Sequence, residues 1–361
     1  MPKAIFNQAK ISGIVTVVPS NFRLIDDEVD TLYNGDIKQI ERIKKSIGLN
    51  KRHILKGNST TADLCELAAN KLLDGMQIDR NTIDAIITVT QTPDYFQPST
   101  SAYLHGRLDL GQNCATFDVN QGCSGYVYGL WLGFMMVQTN SCENVLLLSG
   151  DTLSKVVNQA DSNVATIFGD GASATLIQKS STDTNSYFTI HSNGKKFDTI
   201  IQPKGAFRVP SKREINDDRI FDEVSDKRTL ENLYMDGAEV FNFSIMTEPV
   251  AIKEILEISN STEEEIDYIV FHQANKYIIS NIARRLKFPL EKAPSETTGK
   301  YGNQSSASIP CTICDALNEE VSSKKLNVVL SGFGVGLSWA TCKLEFDKIY
   351  CSEVIFYDEE E

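Results

Sequence analysis

The chain has 361 residues, 41% apolar and 23% charged, with a net charge of −13. That length can bury a large core and suggests two domains or two halves, while the acidic surplus excludes the footprint of a nucleic-acid binder. The longest apolar run, Tyr126 to Val137, is too short to span a bilayer, and "MPKAIFNQAKISGIVTVVP" lacks a basic-then-apolar signal pattern, so no membrane association and a cytoplasmic location are expected.

Along the chain, "TADLCELAANKLLDG" carries apolar residues at 64, 67, 68 and 72, a spacing that predicts a helix ending at Gly75. "AIITVT" (85–90) and "NVLLLSG" (144–150) are short, β-branched-rich runs bounded by turn residues, and read as buried strands. Between them, "FDVNQGCSGYVYGLWLGF" (117–134) sets Cys123 among glycines at the head of an apolar helix. From 179 to 235 the chain turns polar and charged, as expected of a surface excursion or lid. Two further strands follow, "YIVFH" (268–272) and "NVVLSG" (327–332). The helix predicted in "NKYIISNIARRLKF" puts Lys276, Arg284 and Lys287 within about 80° of one another, and Ile278, Ile279, Ile282 and Leu286 on another side. Eight cysteines without a secretory signal read as reduced thiols. "CTIC" at 311–314 has no second pair at ligand spacing and lies among Ile309, Ile313 and Leu317, so a buried helix is expected there and no metal.

One unit is used twice. "TIDAIITVTQT" matches "EIDYIVFHQAN", and "NQGCSG" matches "NQSSAS"; the offsets 267 − 84 and 303 − 120 both equal 183. Strands alternating with helices predict an α/β fold with mainly parallel sheets. The halves are taken as 1–178 and 236–361, with 179–235 connecting them.

A thiol at a helix head sits near unpaired N–H groups and the positive end of the dipole, which lowers its pKa from about 8.5 into the range of roughly 3.5–7.5. Cys123 is thus a candidate nucleophile, against the plainer reading of a buried structural cysteine. His272 ends a predicted strand, where side chains of parallel sheets reach the ligand crevice; a hydrogen-bonded structural role is the alternative. Asn303 occupies in its half the place of Asn120 in the other, and is otherwise a turn or cap residue. Pseudo-symmetry can bring these three groups together.

"QGCSG", "HQAN", "YGNQSSAS" and "GFGVGLSW", with "TQTPDYFQPSTS" and "IFGDGASA", resemble the β-ketoacyl-acyl-carrier-protein synthase III family. The resemblance implies a thiolase-like fold, two pseudo-symmetric βαβ-containing halves layered αβαβα, acting as a homodimer. It implies a decarboxylating Claisen condensation of an acyl primer with malonyl-acyl-carrier protein through an acyl-cysteine, with Cys123, His272 and Asn303 as the catalytic set. The second oxyanion hole would be the backbone N–H groups of Cys123 and Val335, where the family usually has glycine. No cofactor is implied; coenzyme A or acyl-carrier thioesters are the substrates. Where the family clamps adenine between tryptophan and arginine, this chain has Arg42 and Ser162, and a neighbouring arginine becomes Ser46. The aromatic wedge that a partner subunit places in the acyl pocket corresponds to Gln97. These departures point away from acetyl-CoA toward a polar, larger or carrier-borne primer. The basic face, Lys276, Arg284 and Lys287 with Arg285, either is plainly solvated or docks the acidic carrier protein. An acyl transfer to an alcohol or amine through the same cysteine is the alternative function, and a non-catalytic binding partner a third. Retention of Asn303 favours condensation, since an enolate needs a second donor.

Overall fold

The computed structural model describes residues 3–181, 184–212 and 229–359; the parts of the expected excursion at 182–183 and 213–228 lie outside them. Two sheets form the frame. The first is seven-stranded, in the order Tyr350–Cys351, Ala9–Pro19, Gly171–Lys179, Asn144–Asp151, Ala85–Val89, Ala115–Val119, with Ile355–Tyr357 also beside Ala9–Pro19. The second is five-stranded, in the order Lys3–Phe6, Ser186–Ser192, Ser338–Asp347, Lys325–Gly334, Tyr268–Phe271.

Both sheets are mixed, which corrects the expectation of mainly parallel ones. Ala85–Val89 runs parallel to Asn144–Asp151, and Tyr268–Phe271 parallel to Lys325–Gly334. The next strand in each half, Gly171–Lys179 or Ser338–Asp347, returns antiparallel. In the second half the reason is plain: Val335–Leu337 is far too short for the helical crossover that a parallel neighbour needs. A second correction concerns the polar excursion, because Ser186–Ser192 within it is an interior strand paired on both edges.

The sequence repeat is a repeat of topology. Ala9–Pro19, Gly171–Lys179, Asn144–Asp151 and Ala85–Val89 are joined antiparallel, antiparallel, parallel. Ser186–Ser192, Ser338–Asp347, Lys325–Gly334 and Tyr268–Phe271 are joined in the same senses. The two aspartates of the repeat do the same work: Asp84 Oδ2 accepts the Asn144 N–H at 2.9 Å, and Asp267 Oδ2 the Asn327 N–H at 2.7 Å.

Period-2 alternation explains why both faces of each sheet are covered. Ile87, Val89, Val145 and Leu147 face inward to a core shared with Val328 and Leu330 of the other sheet. Ile86, Leu146 and Leu148 face outward, onto the helix Thr61–Gly75. That helix carries the expected buried Leu64, Ala68 and Leu72 and ends at Gly75, opened by a capping box between Thr60 and Asp63. Helices Gly125–Gln138 and Ser308–Ala316 lie between the sheets, and Gly237–Ile258 with Lys276–Leu286 covers the second sheet's outer face, completing five layers. Gly129 lets the central helix approach its sheet: a Cβ there would lie 2.5 Å from Leu147 Cδ1. A bulky residue at 129 would lift the helix, forfeiting about 1.5–3 kcal/mol per uncovered apolar side chain. The "CTIC" cysteines, Cys311 and Cys314, are buried in the second central helix.

Candidate active site

A cavity of about 780 Å³ opens where the heads of the two central helices meet, lined among others by Cys123, His272, Asn303, Ser305 and Val335. Three side chains far apart in sequence thus share one space.

Cys123 stands in the turn before the helix Gly125–Gln138, one residue ahead of the N-cap Ser124. Gly125 N–H closes the turn on the Gly122 carbonyl at 2.7 Å, and Ser124 Oγ meets Ser338 Oγ at 2.7 Å, tying the turn to the second half. Gly334 has to lack a side chain, since a Cβ there would lie 2.7 Å from the Cys123 sulfur. The expected acidic thiol is not found. Burial, and then the Asp151 carboxylate, push the Cys123 thiol up to about 11, against hydrogen bonds from the Val335 N–H and the Ser305 hydroxyl. Loss of hydration outweighs the helix head in this turn. At neutral pH the group is a thiol.

His272 lies just beyond the strand Tyr268–Phe271, its N–H donating to the Ser331 carbonyl at 2.8 Å. Its Nδ1 lies 2.7 Å from Ser308 Oγ, which also accepts the Gln273 N–H at 3.2 Å. Ser308 can donate its own proton to Nδ1, the arrangement in which the imidazole hydrogen sits on Nε2. Burial brings the ring down to about 3, so it is neutral. Asn303 Oδ1 accepts the Ser305 N–H at 2.9 Å, fixing the amide so that Nδ2 lies 3.5 Å from His272 Nε2. At that separation the two nitrogens are too far apart to satisfy one another, and both line the cavity.

Asn303 is itself held by the other half. Its N–H donates to the Ile167 carbonyl at 2.9 Å and its carbonyl accepts from Gly169 at 3.1 Å. Below, fully buried Asp151 accepts from Gln91 N–H at 2.7 Å and Ser306 Oγ at 3.0 Å, joining three segments under the sulfur.

Comparison with known proteins agrees with this geometry. Residues 117–194 match the family model for 3-oxoacyl-[acyl-carrier-protein] synthase III, and residues 256–346 its C-terminal model. A putative 3-oxoacyl-[acyl-carrier-protein] synthase 3 of Campylobacter jejuni is 44% identical over 359 residues, 99% of either chain. The chain belongs to the 3-oxoacyl-[acyl-carrier-protein] synthase III family. A β-ketoacyl-[acyl-carrier-protein] synthase III of Clostridium perfringens is 33% identical, with 93% of this chain and 99% of the relative covered. A crystal structure of a 3-oxoacyl-(acyl-carrier protein) synthase from Burkholderia xenovorans superposes with a TM-score of 0.93 at 34% identity, covering 99% of each chain. The thiolase-like fold and a condensing acyltransferase activity come with membership of the synthase III family.

Other expected residues fall elsewhere. Gln97 is exposed on the loop after Ala85–Val89 and does not line its own chain's cavity. Arg42 and Ser46 line a separate surface groove with Lys45, Lys276 and Arg284. Lys276 pairs with Glu296 at 2.6 Å and Arg285 donates to the Ile245 carbonyl at 2.8 Å, while Ile278, Ile279, Ile282 and Leu286 are buried as expected. Sequence reasoning missed Ser305 and Ser308, although both stand in the repeat motif "NQSSAS", and Gln91, although it stands in "TIDAIITVTQT"; it also missed the cavity wall 152–166, which carries no local pattern.

Proposed function

We propose that Cys123 takes up an acyl group from a thioester and that His272 and Asn303 then stabilise the malonyl-derived enolate. The supporting observation is the sharing of one cavity by the Cys123 sulfur, the His272–Asn303 nitrogen pair and the Val335 turn. In the first step the sulfur attacks the thioester carbonyl, the departing thiol carries away the proton, and an acyl-cysteine remains. The oxyanion of that step is held by the N–H groups of Cys123 and Val335. Gly336 takes the positive φ of 135° in that turn while Val335 does not, so valine serves as well as glycine. In the second step malonyl thioester loses carbon dioxide. Its enolate oxygen accepts from His272 Nε2–H and the Asn303 amide, its carbon attacks the acyl-cysteine carbonyl, and the sulfur leaves as a thiolate that takes up a proton to restore the thiol as the 3-oxoacyl product departs.

The same reading makes the malonyl donor carrier-borne, docking on the exposed cations of the helix Lys276–Leu286, whose first turn lines the cavity, and of its C-cap. Arg284 and Lys287 are the better candidates, because Lys276 and Arg285 are already engaged. It also assigns Gln97 to a partner subunit's acyl pocket in a homodimer, the halves to 1–178 and 236–361 with the segment 179–235 between them lending the strand Ser186–Ser192 to the second, and the protein to the cytoplasm. Among the described residues no helix is long and apolar enough to cross a membrane.

The test is intact-protein mass after incubation with acyl-CoA and acyl-carrier thioesters. An acyl increment is expected on the parent and none on Cys123→Ala. Malonyl-carrier added next should release carbon dioxide; acyl uptake without that release would favour simple acyl transfer.

A further inference from the structure

One cavity residue has no part in the chemistry above. Gln91 lies two residues beyond the strand Ala85–Val89 and lines the cavity with Cys123. Its backbone N–H is held by Asp151 Oδ1 at 2.7 Å and its Nε2 donates to Asn120 Oδ1 at 3.2 Å. Its main chain and its amide donor are therefore committed, while Oε1 has no hydrogen-bond partner among the described residues.

The position of that oxygen is fixed by what a side chain on Gly122 would meet. A Cβ there would lie 2.4 Å from Gln91 Oε1 and 2.5 Å from Val335 Cγ1. The acceptor therefore hangs over the residue immediately before the nucleophile, whose Cα is about 3.8 Å away along the chain. The same cavity carries apolar side chains, Leu153, Phe168, Ile200, Met235 and Phe333 among them. An all-alkyl acyl chain packed into this space would take water from Oε1 and return no donor, which is unfavourable.

We infer that Gln91 selects the primer, accepting a hydrogen bond from a hydroxyl carried within a few atoms of the thioester carbonyl, as on a 3-hydroxyacyl group. This rests on the acyl-cysteine reading and deepens it by naming the class of primer. Selection is by pairing of one unpaired acceptor on the cavity wall rather than by pocket length, so chain length and hydroxylation are separate requirements.

The experiment measures initial rates of acyl uptake on Cys123 by intact mass, using the CoA thioesters of acetate, butyrate and 3-hydroxybutyrate. Parent protein and Gln91→Met, an apolar residue of similar length, are compared, with their unfolding midpoints recorded. The parent should take up 3-hydroxybutyryl about tenfold faster than butyryl, as one well-formed hydrogen bond allows, and Gln91→Met should reverse the order. A parent that takes up both four-carbon groups equally, prefers butyryl, or accepts acetyl alone overturns the inference and leaves the acyl-cysteine reading standing. The parent ratio decides this even if Gln91→Met does not fold; a folded variant with the parent's ratio also overturns it. No uptake of any of the three on Cys123 overturns the acyl-cysteine reading and this inference with it.

Discussion

Two equivalent connections in the two halves have diverged. After Asn144–Asp151 the chain wanders from 152 to 170 before returning as Gly171–Lys179; after Lys325–Gly334 it turns within Val335–Leu337 and returns as Ser338–Asp347. The long connection lines the cavity with Leu153, Val164, Ile167 and Phe168, and holds Asn303 of the other half through backbone bonds at Ile167 and Gly169. The short one turns over the other half's cysteine and gives its sulfur the Val335 N–H. Each half therefore positions a functional group of its counterpart. The strand order and senses are the same in the two halves, and the cavity wall differs where this connection differs.

The sharpest test concerns the sulfur between those connections. With its thiol held near 11 by burial and Asp151, the rate of Cys123 alkylation by iodoacetamide should climb about tenfold per pH unit, roughly 10³-fold from pH 7 to 10. A plateau reached below pH 8 would restore the helix-head explanation and demote burial. Next, Val335→Pro deletes the N–H of the short connection and should lower kcat by about 10²–10³-fold, as loss of one oxyanion donor does, whereas Val335→Gly should stay near the parent. Equal kcat for the two variants would remove the short connection from catalysis.

A further contrast lies under the two strands. Leu148 in the first half packs with buried Cys65, while the corresponding Ser331 donates to fully buried Glu248 at 2.5 Å. Burial raises that carboxyl from 4.5 to about 8. The folded protein thus keeps a proton that the unfolded chain releases between those values. Stability should be greatest below about pH 4.5 as far as this group is concerned, fall through the window to about 8, and level off above it. The total is on the order of a few kcal/mol. Glu248→Gln should flatten that slope in urea midpoints taken at pH 5 and 8.5; an unchanged slope would mean that Glu248 does not cause it. The smallest effect is expected at the surface. Arg284→Glu with Lys287→Glu should raise KM for carrier-borne substrate several-fold at low salt and leave a CoA thioester unaffected. Equal change for both substrates would deny carrier docking there.

Local pattern carried much of this into the sequence. The helix Thr61–Gly75 was legible because its apolar spacing and terminal glycine agree. The strands 85–89 and 144–151 were legible because buried strands are short and β-branched. The repeat register related Asn303 to the segment around Cys123, and the end of a predicted strand put His272 at the crevice. The antiparallel returns were not legible, because a strand's direction depends on the connection before it, and 152–170 has no periodicity. Nor was the thiol's high pKa: a helix head can be read from sequence, whereas burial and the charge of Asp151, which push the thiol up, depend on segments arriving from elsewhere.

The termini are laced across the molecule. Lys3–Phe6 extends the second sheet, and Tyr350–Cys351 with Ile355–Tyr357 extends the first. A gene cut between the repeats would therefore yield two fragments, each lacking an edge strand that the other had carried off. Neither could close its own sheet, and only co-expression could restore both. The ancestral unit, whatever its original independence, has become inseparable from its copy.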